Sequence, residues 1–357
     1  MVKQTQNDNS KNHFRTPGEN AWEETATQEL NGAHPFEKLV IRKHGLTIEP
    51  YYKKSKNQVS FTLPVSDSKL MGARAWQNMA MVTIADEKKA NAEALHYLNT
   101  GADGILFAVT RSDISFSLLL ADIEVEHCAV SLLLESGCEG EAEPFLQHIG
   151  NKAISGCIFY KSPAQASFSE STTSFITCGI YCKPNENPID ELMSSLHAGV
   201  ALLDKFTDRG LPAQVVATQI GFYCSVDADF FLSIAKLKAL RILWNNILAA
   251  YNVTGATQIH TVSTAWIKDS FQPHGNLIKS TTAALAAIMG GCNYLTIQPE
   301  SESEPGNRAA RLVSNVLRDE SHLAKVADPT AGSYYLDSLI TQLVEKSWQQ
   351  FLTSTNV

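Results

Sequence analysis

The sequence predicts an α/β fold, a (β/α)8 TIM barrel preceded by an N-terminal arm. From about residue 75 onward, short apolar runs rich in β-formers alternate with helical stretches. The runs are continuously apolar rather than alternating, which implies burial on both faces, and strand–helix alternation implies parallel pairing. Eight such units fit in about 225 residues, the number that closes a barrel. An open doubly wound sheet is the other arrangement that the alternation allows.

The elements follow in order. Residues 1–20 are polar and are expected to form a flexible tail. An arm is assigned to 21–70, with a helix that starts near Trp22 in AWEETATQELNG and is stopped by Gly32. Val40-Ile41 and Leu46-Thr47-Ile48 then flank a turn at His44-Gly45, a hairpin pattern. The barrel is assigned to 71–357. Its strands are expected at AMVTIA (80–85), GILFAVT (104–110), CAVSLLLE (128–135), AISGCIFY (153–160), SFITCGIYC (174–182), QVVATQIGF (214–222), TQIHTVST (257–264) and NYLTIQ (293–298). Between them lie helix candidates such as EKKANAEALHYLNTG, PIDELMSSLHAGVALLDKF, DFFLSIAKLKALRILWNNILAAY and LIKSTTAALAAIMGG. The connection KSPAQASFSESTT is Ser/Thr-rich, so the unit it belongs to is irregular.

Composition narrows the functional classes. Hydrophobic residues at 44% and charged residues at 18% mark a globular chain rather than a disordered one. A formal charge of −8 with no basic run argues against a nucleic-acid partner. No apolar run reaches the roughly 18 residues of a membrane span, and the polar N-terminus is no secretory signal. A cytoplasmic location is expected. The seven cysteines, an odd number lying mostly in strand-like stretches, fit reduced core thiols better than a disulfide framework. Cys178 and Cys182 have no second pair to complete a zinc site, so no metal is assigned. No G-x-G-x-x-G, P-loop, G-x-S-x-G or H-E-x-x-H occurs.

In a barrel of this kind chemistry belongs at the C-terminal ends of the strands. That places Thr110-Arg111-Ser112, Tyr181-Cys182-Lys183, Phe222-Tyr223, His260 to Trp266 and Gln298 to Glu302 at the candidate face.

Four stretches resemble the methylmalonyl-CoA mutase family. Thr282 to Gly291, TAALAAIMGG, is a helix ending in paired glycines, preceded by QPHGNLIKST with Asn276 and Lys279 at positions the family fills with Asn and a basic residue. VADPTAGSYYLDSL (326–339) is similar to the family's D-P-x-G-G-S-Y-Y-x-E-x-L. DFFLSIAKLKALRILW (229–244) is similar to its FF-x-E-I-A-K-L-R-A-x-R-x-LW helix. FEKLVIRKHGLTIEPYY resembles the arm that precedes the family's barrel. The matches run colinearly over about residues 21 to 355. The resemblance implies a (β/α)8 acyl-CoA domain and a carbon-skeleton rearrangement that uses adenosylcobalamin, the cofactor supplying the radical chemistry and the protein the binding and shielding.

The departures from that family matter as much. The family's D-x-H-x-x-G cobalt-ligating loop does not occur, so the cobalamin-binding domain is expected to be absent and supplied by a partner or by sequence beyond this chain. The family's S-G-Y-H strand end aligns with Cys178-Gly179-Ile180-Tyr181. Tyr181 is bulkier and a weaker acid than His, and the Ile180 side chain cannot hydrogen-bond, so this is a degenerate catalytic position. The P-G-x-x-P-F-x-R-G clamp for the CoA tail is missing between Tyr52 and Trp76. Arg74-Ala75-Trp76 resembles the R-P-W that follows it, which marks Arg74 and Trp76 as weak candidates for substrate binding. The H-x-Q-T-S-G strand end appears as His260 to Ala265, with Val262 in place of Gln. The pair that holds the adenosyl ribose appears as Gln298 and Glu302. His260, Gln298 and Glu302 are therefore the family positions left for cofactor binding. Against this, His260 reads more readily as a hydrogen-bonded core histidine, Glu302 equally well as a solvated loop acid in ESESEP, and the barrel mouth more readily as simply filled.

Loss of the central polar residues matches the non-catalytic small-subunit members of the family. The leading expectation is a small subunit that stabilises a homologous catalytic large subunit, with adenosylcobalamin serving the complex and none bound to this chain alone. A homodimer of the isolated chain is also possible on sequence grounds. The alternative is a divergent catalytic barrel that uses a cobalamin domain from another chain. A third reading is a binding module that keeps a nucleotide or acyl-CoA site lined by Gln298 and Glu302.

Overall fold

A computed structural model describes residues 18, 20–53, 60–66, 68, 71–169, 175–264, 274–301 and 303–355. Most of the expected tail, Glu302 and residues 265–273, Trp266 among them, lie outside these. The chain forms two compact units that divide between residues 54 and 55. Among the described residues no helix is long and apolar enough to cross a membrane.

The first unit holds helix α1 (Ala21–Glu29), the short helix α2 (Pro35–Lys38) and a hairpin of β1 (Ile41–Lys43) and β2 (Leu46–Ile48). The two turn residues, His44 and Gly45, have φ of 52° and 73°. A two-residue turn that follows the twist of its strands needs such left-handed values, which glycine adopts freely. Trp22 stacks on Tyr51 at 4.8 Å and meets the edge of Phe36 at 5.8 Å.

The second unit is a closed (β/α)8 barrel. Its eight parallel strands are β3 (Gln77–Thr83), β4 (Gly104–Val109), β5 (Ala129–Leu134), β6 (Gly156–Tyr160), β7 (Phe175–Tyr181), β8 (Ile220–Val226), β9 (Gln258–Ser263) and β10 (Tyr294–Thr296), in that order around the barrel. The helices are α3 (Glu87–Asn99), α4 (Phe116–Leu119), α5 (Ala142–Ile149), α6 (Pro188–Thr207), α7 (Ala213–Thr218), α8 (Phe230–Ala250), α9 (Gly275–Gly290), α10 (Glu304–Asn315) and α11 (Tyr334–Thr355). Several begin at side-chain caps: Asp86 accepts from the Lys89 amide, Asn187 from Ile189 and Ser303 from Gly306.

Two strand expectations need correction. The run at 214–222 divides: its first part is α7, entered from Pro212, and β8 starts only at Ile220 and extends to Val226. A short apolar run such as QVVAT does not distinguish a buried helical turn from a strand. The first barrel strand begins at Gln77 and ends at Thr83, displaced from the expected 80–85. The Ser/Thr-rich connection after β6 carries one 3-10 turn, Pro163–Gln165, within its described part.

The last strand is three residues long and meets the first barrel strand through two residue pairs, Tyr294 with Gln77 and Leu295 with Asn78. Buried cations of α8 secure the loops beside this seam. The Arg241 guanidinium donates to the carbonyl oxygens of Thr257 and Gly291 and to Asn293 Oδ1, just ahead of β9 and β10. Asn293 Oδ1 also accepts from the Ile259 amide at 3.0 Å. One turn earlier on α8, Lys238 Nζ donates to both carboxylate oxygens of Asp328 at 2.9 and 2.8 Å. Burial alone would raise the Asp328 carboxyl, but the Lys238 ammonium, the Leu63 amide and Thr330 outweigh it and hold it below the usual range.

Because Lys238 is 1% exposed, removing its partner leaves an uncompensated buried charge. Asp328→Asn is expected to destabilise the barrel by about 3–5 kcal/mol, read as a lower urea midpoint at unchanged m. The double variant Lys238→Met/Asp328→Leu should lose less than Asp328→Asn alone.

Candidate functional site at the barrel axis

Side chains alternate between the barrel interior and the helix layer along each strand. The interior holds Leu106, Leu133, Cys157, Phe159, Ile176, Tyr223 and Val262 in one buried cluster, with Met81 and Tyr181 packed against it. Met79, Ala129 and Tyr294 form a second cluster.

A bulge decides what β7 contributes. Cys157 pairs with Ile176, but Phe159 pairs with Gly179, so β7 carries one extra residue between them. The bulge puts Ile176, Gly179 and Tyr181 on the interior face and turns Ile180 outward. Ile180 pairs with Phe222, whose ring meets Trp244 of α8 at 5.1 Å. Gly179 is required where it stands: a Cβ there would lie 2.5 Å from both Cys157 Sγ and Phe159 Cδ1.

Four rings occupy the axis. Phe159 lies 5.2 Å from Tyr223 and 5.5 Å from His260. His260 in turn lies 5.2 Å from Tyr223 and 5.7 Å from Tyr294. Above them Tyr181 stacks on Tyr223 at 5.6 Å, and Lys161 Nζ stands 5.4 Å over the Tyr181 ring. Lys161 is itself paired with Glu135. The result is a packed aromatic column from mid-barrel to the C-terminal mouth.

The column sets the chemistry of its polar members. His260 is 1% exposed and shares a 2.8 Å hydrogen bond between Nε2 and Thr296 Oγ1. Its Nδ1 is buried and has no partner among the described residues. Burial pushes its pKa down to about 3, so the imidazole is neutral at physiological pH. Burial raises the phenols of Tyr181 and Tyr223, in the former case against the nearby Lys161. None of these groups is poised to exchange a proton near neutrality.

The sequence-derived candidates thus fall in different places. Tyr181 and His260 join one column, with Tyr223 between them. Gln298 is half-buried two residues beyond β10, and its backbone N–H donates to Ser263 Oγ at 3.0 Å. Arg74 and Trp76 stand at the opposite end, before β3. Trp76 is 1% exposed and donates from Nε1 to Ser314 Oγ of α10 at 2.8 Å. Arg111, at the C-terminal end of β4, pairs with Glu87 at 2.6 Å. Of the three positions left for a cofactor, Glu302 lies outside the described residues, Gln298 is half-buried, and the His260 imidazole is engaged by Thr296 and packed against Tyr223. A cavity of about 1050 Å³ opens at the N-terminal end instead, beside Gln77, Ala129 and the ion pair of Asp103 with Arg318.

The sequence patterns mark Phe159 and Tyr294 only as strand residues. The period-2 rule identifies which residues share a face, but the bulge in β7 shifts that count halfway along the strand.

His260 titrates in the unfolded chain near its ordinary value of 6.5 and in the fold only near 3. The unfolded state therefore binds the extra proton, and this residue's contribution to stability is complete above pH 6.5 and declines as pH falls through that window. His260→Gln is expected to flatten the acid limb of the stability curve by up to about 1.4 kcal/mol per pH unit below that point. Urea unfolding at several pH values checks this, and an unchanged slope would show that His260 is not responsible.

One family model and three relatives bear on what this barrel is. The family model described as methylmalonyl-CoA mutase matches residues 180–355. The methylmalonyl-CoA mutase small subunit of Porphyromonas gingivalis is 26% identical, over 93% of this chain and 62% of its own length. The methylmalonyl-CoA mutase small subunit of Streptomyces virginiae is 35% identical over 48% of this chain and 29% of its own length. The methylmalonyl-CoA mutase of Escherichia coli K12 is 28% identical over 45% of this chain and 24% of its own length. The chain thus spans less than two thirds of the length of each of these relatives.

Proposed function

We propose, on the premise that this chain belongs to the methylmalonyl-CoA mutase family, that it is the non-catalytic small subunit of an adenosylcobalamin-dependent mutase interconverting methylmalonyl-CoA and succinyl-CoA. The observation that carries the reading is the aromatic column. A catalytic barrel of this kind needs room on its axis for an acyl-CoA and a proton donor beside the reacting carbonyl. Here the axis is occupied by Phe159, Tyr223, His260 and Tyr294, and its imidazole is held neutral and sealed.

The role that remains is structural. The partner is a homologous large subunit that holds the cofactor and the substrate, and this barrel stabilises it within a cytoplasmic complex. The names of the Porphyromonas and Streptomyces relatives support a small-subunit role. The fold supports it as well, since the packing residues of the barrel persist while the polar groups of a site do not.

Isothermal titration calorimetry of the purified chain with adenosylcobalamin and with methylmalonyl-CoA tests the proposal. Neither ligand should give heat with the chain alone, and mixing with a catalytic large subunit should give a stable heterodimer by sedimentation. Tight binding of either ligand to the isolated chain would overturn the reading and favour a divergent catalytic barrel.

A further inference from the structure

Two thiols on neighbouring strands lie in contact at the barrel mouth. The seven cysteines are all free, and six of them are buried. Cys182 follows β7 directly, and Cys224 lies within β8. Tyr181 pairs with Tyr223, and the Cys182 backbone N–H donates to the Tyr223 carbonyl at 2.9 Å, so the parallel ladder sets Cys182 beside Cys224. Successive side chains alternate, so both thiols face the helix layer while the two tyrosines face the axis. Cys224 Sγ donates to Cys182 Sγ at 3.5 Å, and each residue is 2% exposed. Cys128 and Cys178 instead donate to backbone carbonyls, those of Glu124 and Ser167.

The backbone here already meets the demands of a disulfide. Adjacent strands lie about 4.7–4.9 Å apart, inside the roughly 4.4–6.8 Å that separates Cα atoms joined by one. Both Cβ atoms leave the sheet on the same side, and the sulfurs need to close by only about 1.5 Å to reach bonding distance. The covering helices hold the strand ends in place. Lys236 Nζ of α8 donates to both carboxylate oxygens of Glu191 in α6, at 2.8 and 2.9 Å, and to the carbonyl of Ser225, next to Cys224, at 3.0 Å. The thiol–thiol hydrogen bond also divides the roles. An S–H donor favours negative charge on the sulfur that accepts it, so Cys182 is the sulfur that reacts as a thiolate. Cys224, whose thiol is held well above its ordinary value by that same bond and by burial, is the resolving partner.

We propose that Cys182 and Cys224 form a reversible oxidation site that closes to a disulfide, with hydrogen peroxide as the oxidant. The Cys182 thiolate attacks one peroxide oxygen, the O–O bond breaks, and the departing hydroxide takes up the proton the thiol released, leaving Cys182 as a sulfenic acid and one water. The Cys224 sulfur then attacks the Cys182 sulfur, the S–O bond breaks, and the hydroxyl leaves with the Cys224 proton as a second water. Two thiols lose two electrons, and one peroxide is reduced to two waters. A dithiol reductant reverses the step by thiol–disulfide exchange. Peroxide is little larger than water and reaches Cys182 through local opening of the strand end. The bond ties β7 to β8 beside Tyr181 and Tyr223, so oxidation fastens the mouth that these two rings already fill.

The test treats the full chain, freed of reductant, with a few equivalents of hydrogen peroxide under native conditions, and then blocks the remaining thiols with iodoacetamide. Non-reducing peptide mapping is expected to show Cys182 joined to Cys224 in most chains, and dithiothreitol to release the two peptides. The cross-linked chain should melt about 5–10 °C above the reduced one, because the bond closes the loop that carries α6 and α7. Cys224→Ala should give no cross-link and should leave Cys182 as a sulfenic acid that dimedone traps. A wild-type map in which both cysteines still carry the blocking group would overturn the proposal. So would Cys182 oxidised beyond the sulfenic acid, or either cysteine joined to a different thiol. Should Cys224→Ala fail to fold, the wild-type map decides alone.

Discussion

Closing a parallel barrel requires the last strand to pair with the first, and here the last strand has three residues. Two residue pairs cross that seam, beside the bond from the Gln77 amide to the Asn293 carbonyl. The loops that enter β9 and β10 are held from outside, by Arg241 reaching their carbonyls and by Lys238 drawing the chain at Asp328 onto α8. This explains why three of the stretches that resemble the mutase family lie far apart in sequence. The AKLKALR segment of α8 supplies both cations, the glycine pair after α9 supplies an acceptor carbonyl, and the DPTAG segment supplies the carboxylate. They meet where α8 reaches the loops that enter β9 and β10.

A barrel of eight strands has an interior that side chains can fill or that can admit one slender ligand, and the two outcomes exclude each other. In this chain large rings fill it. Their packing is self-consistent: the missing side chain at Gly179 makes room for Phe159, the bulge in β7 brings Tyr181 over Tyr223, and Lys161 lies over Tyr181. Close-packed interiors resist partial opening, because every displaced ring leaves a void or a clash. The same packing that stabilises the barrel removes the solvent and the polar surroundings that an acid–base group requires. The depressed pKa of His260 follows from that burial.

Much of this architecture is legible in the sequence because it rests on local rules. Continuous apolar runs mark strands buried on both faces. The hairpin at His44-Gly45 follows from turn chemistry, and the end of α9 from paired glycines. Where local rules are ambiguous the reading slips. QVVAT satisfies helix and strand alike, and only its position behind Pro212 makes it the helix α7. At the candidate site the residue types Tyr181, Ile180 and His260 can be named from sequence, but not the directions in which they point. One extra residue in β7 turns Ile180 to the helices and Tyr181 to the axis.

The sequence by itself determined the fold class, the order of its elements and the family likeness, because periodicity, turn residues and motif order are all properties of neighbours along the chain. Tertiary structure alone decided that the axis is filled, that His260 is neutral, and that the buried Lys238 finds its carboxylate partner in Asp328. Each of those depends on groups 36 to 238 residues apart, as the contacts of His260 with Thr296 and of Trp76 with Ser314 illustrate. Burial, and the electrostatics that burial controls, exist only once such groups have been brought together.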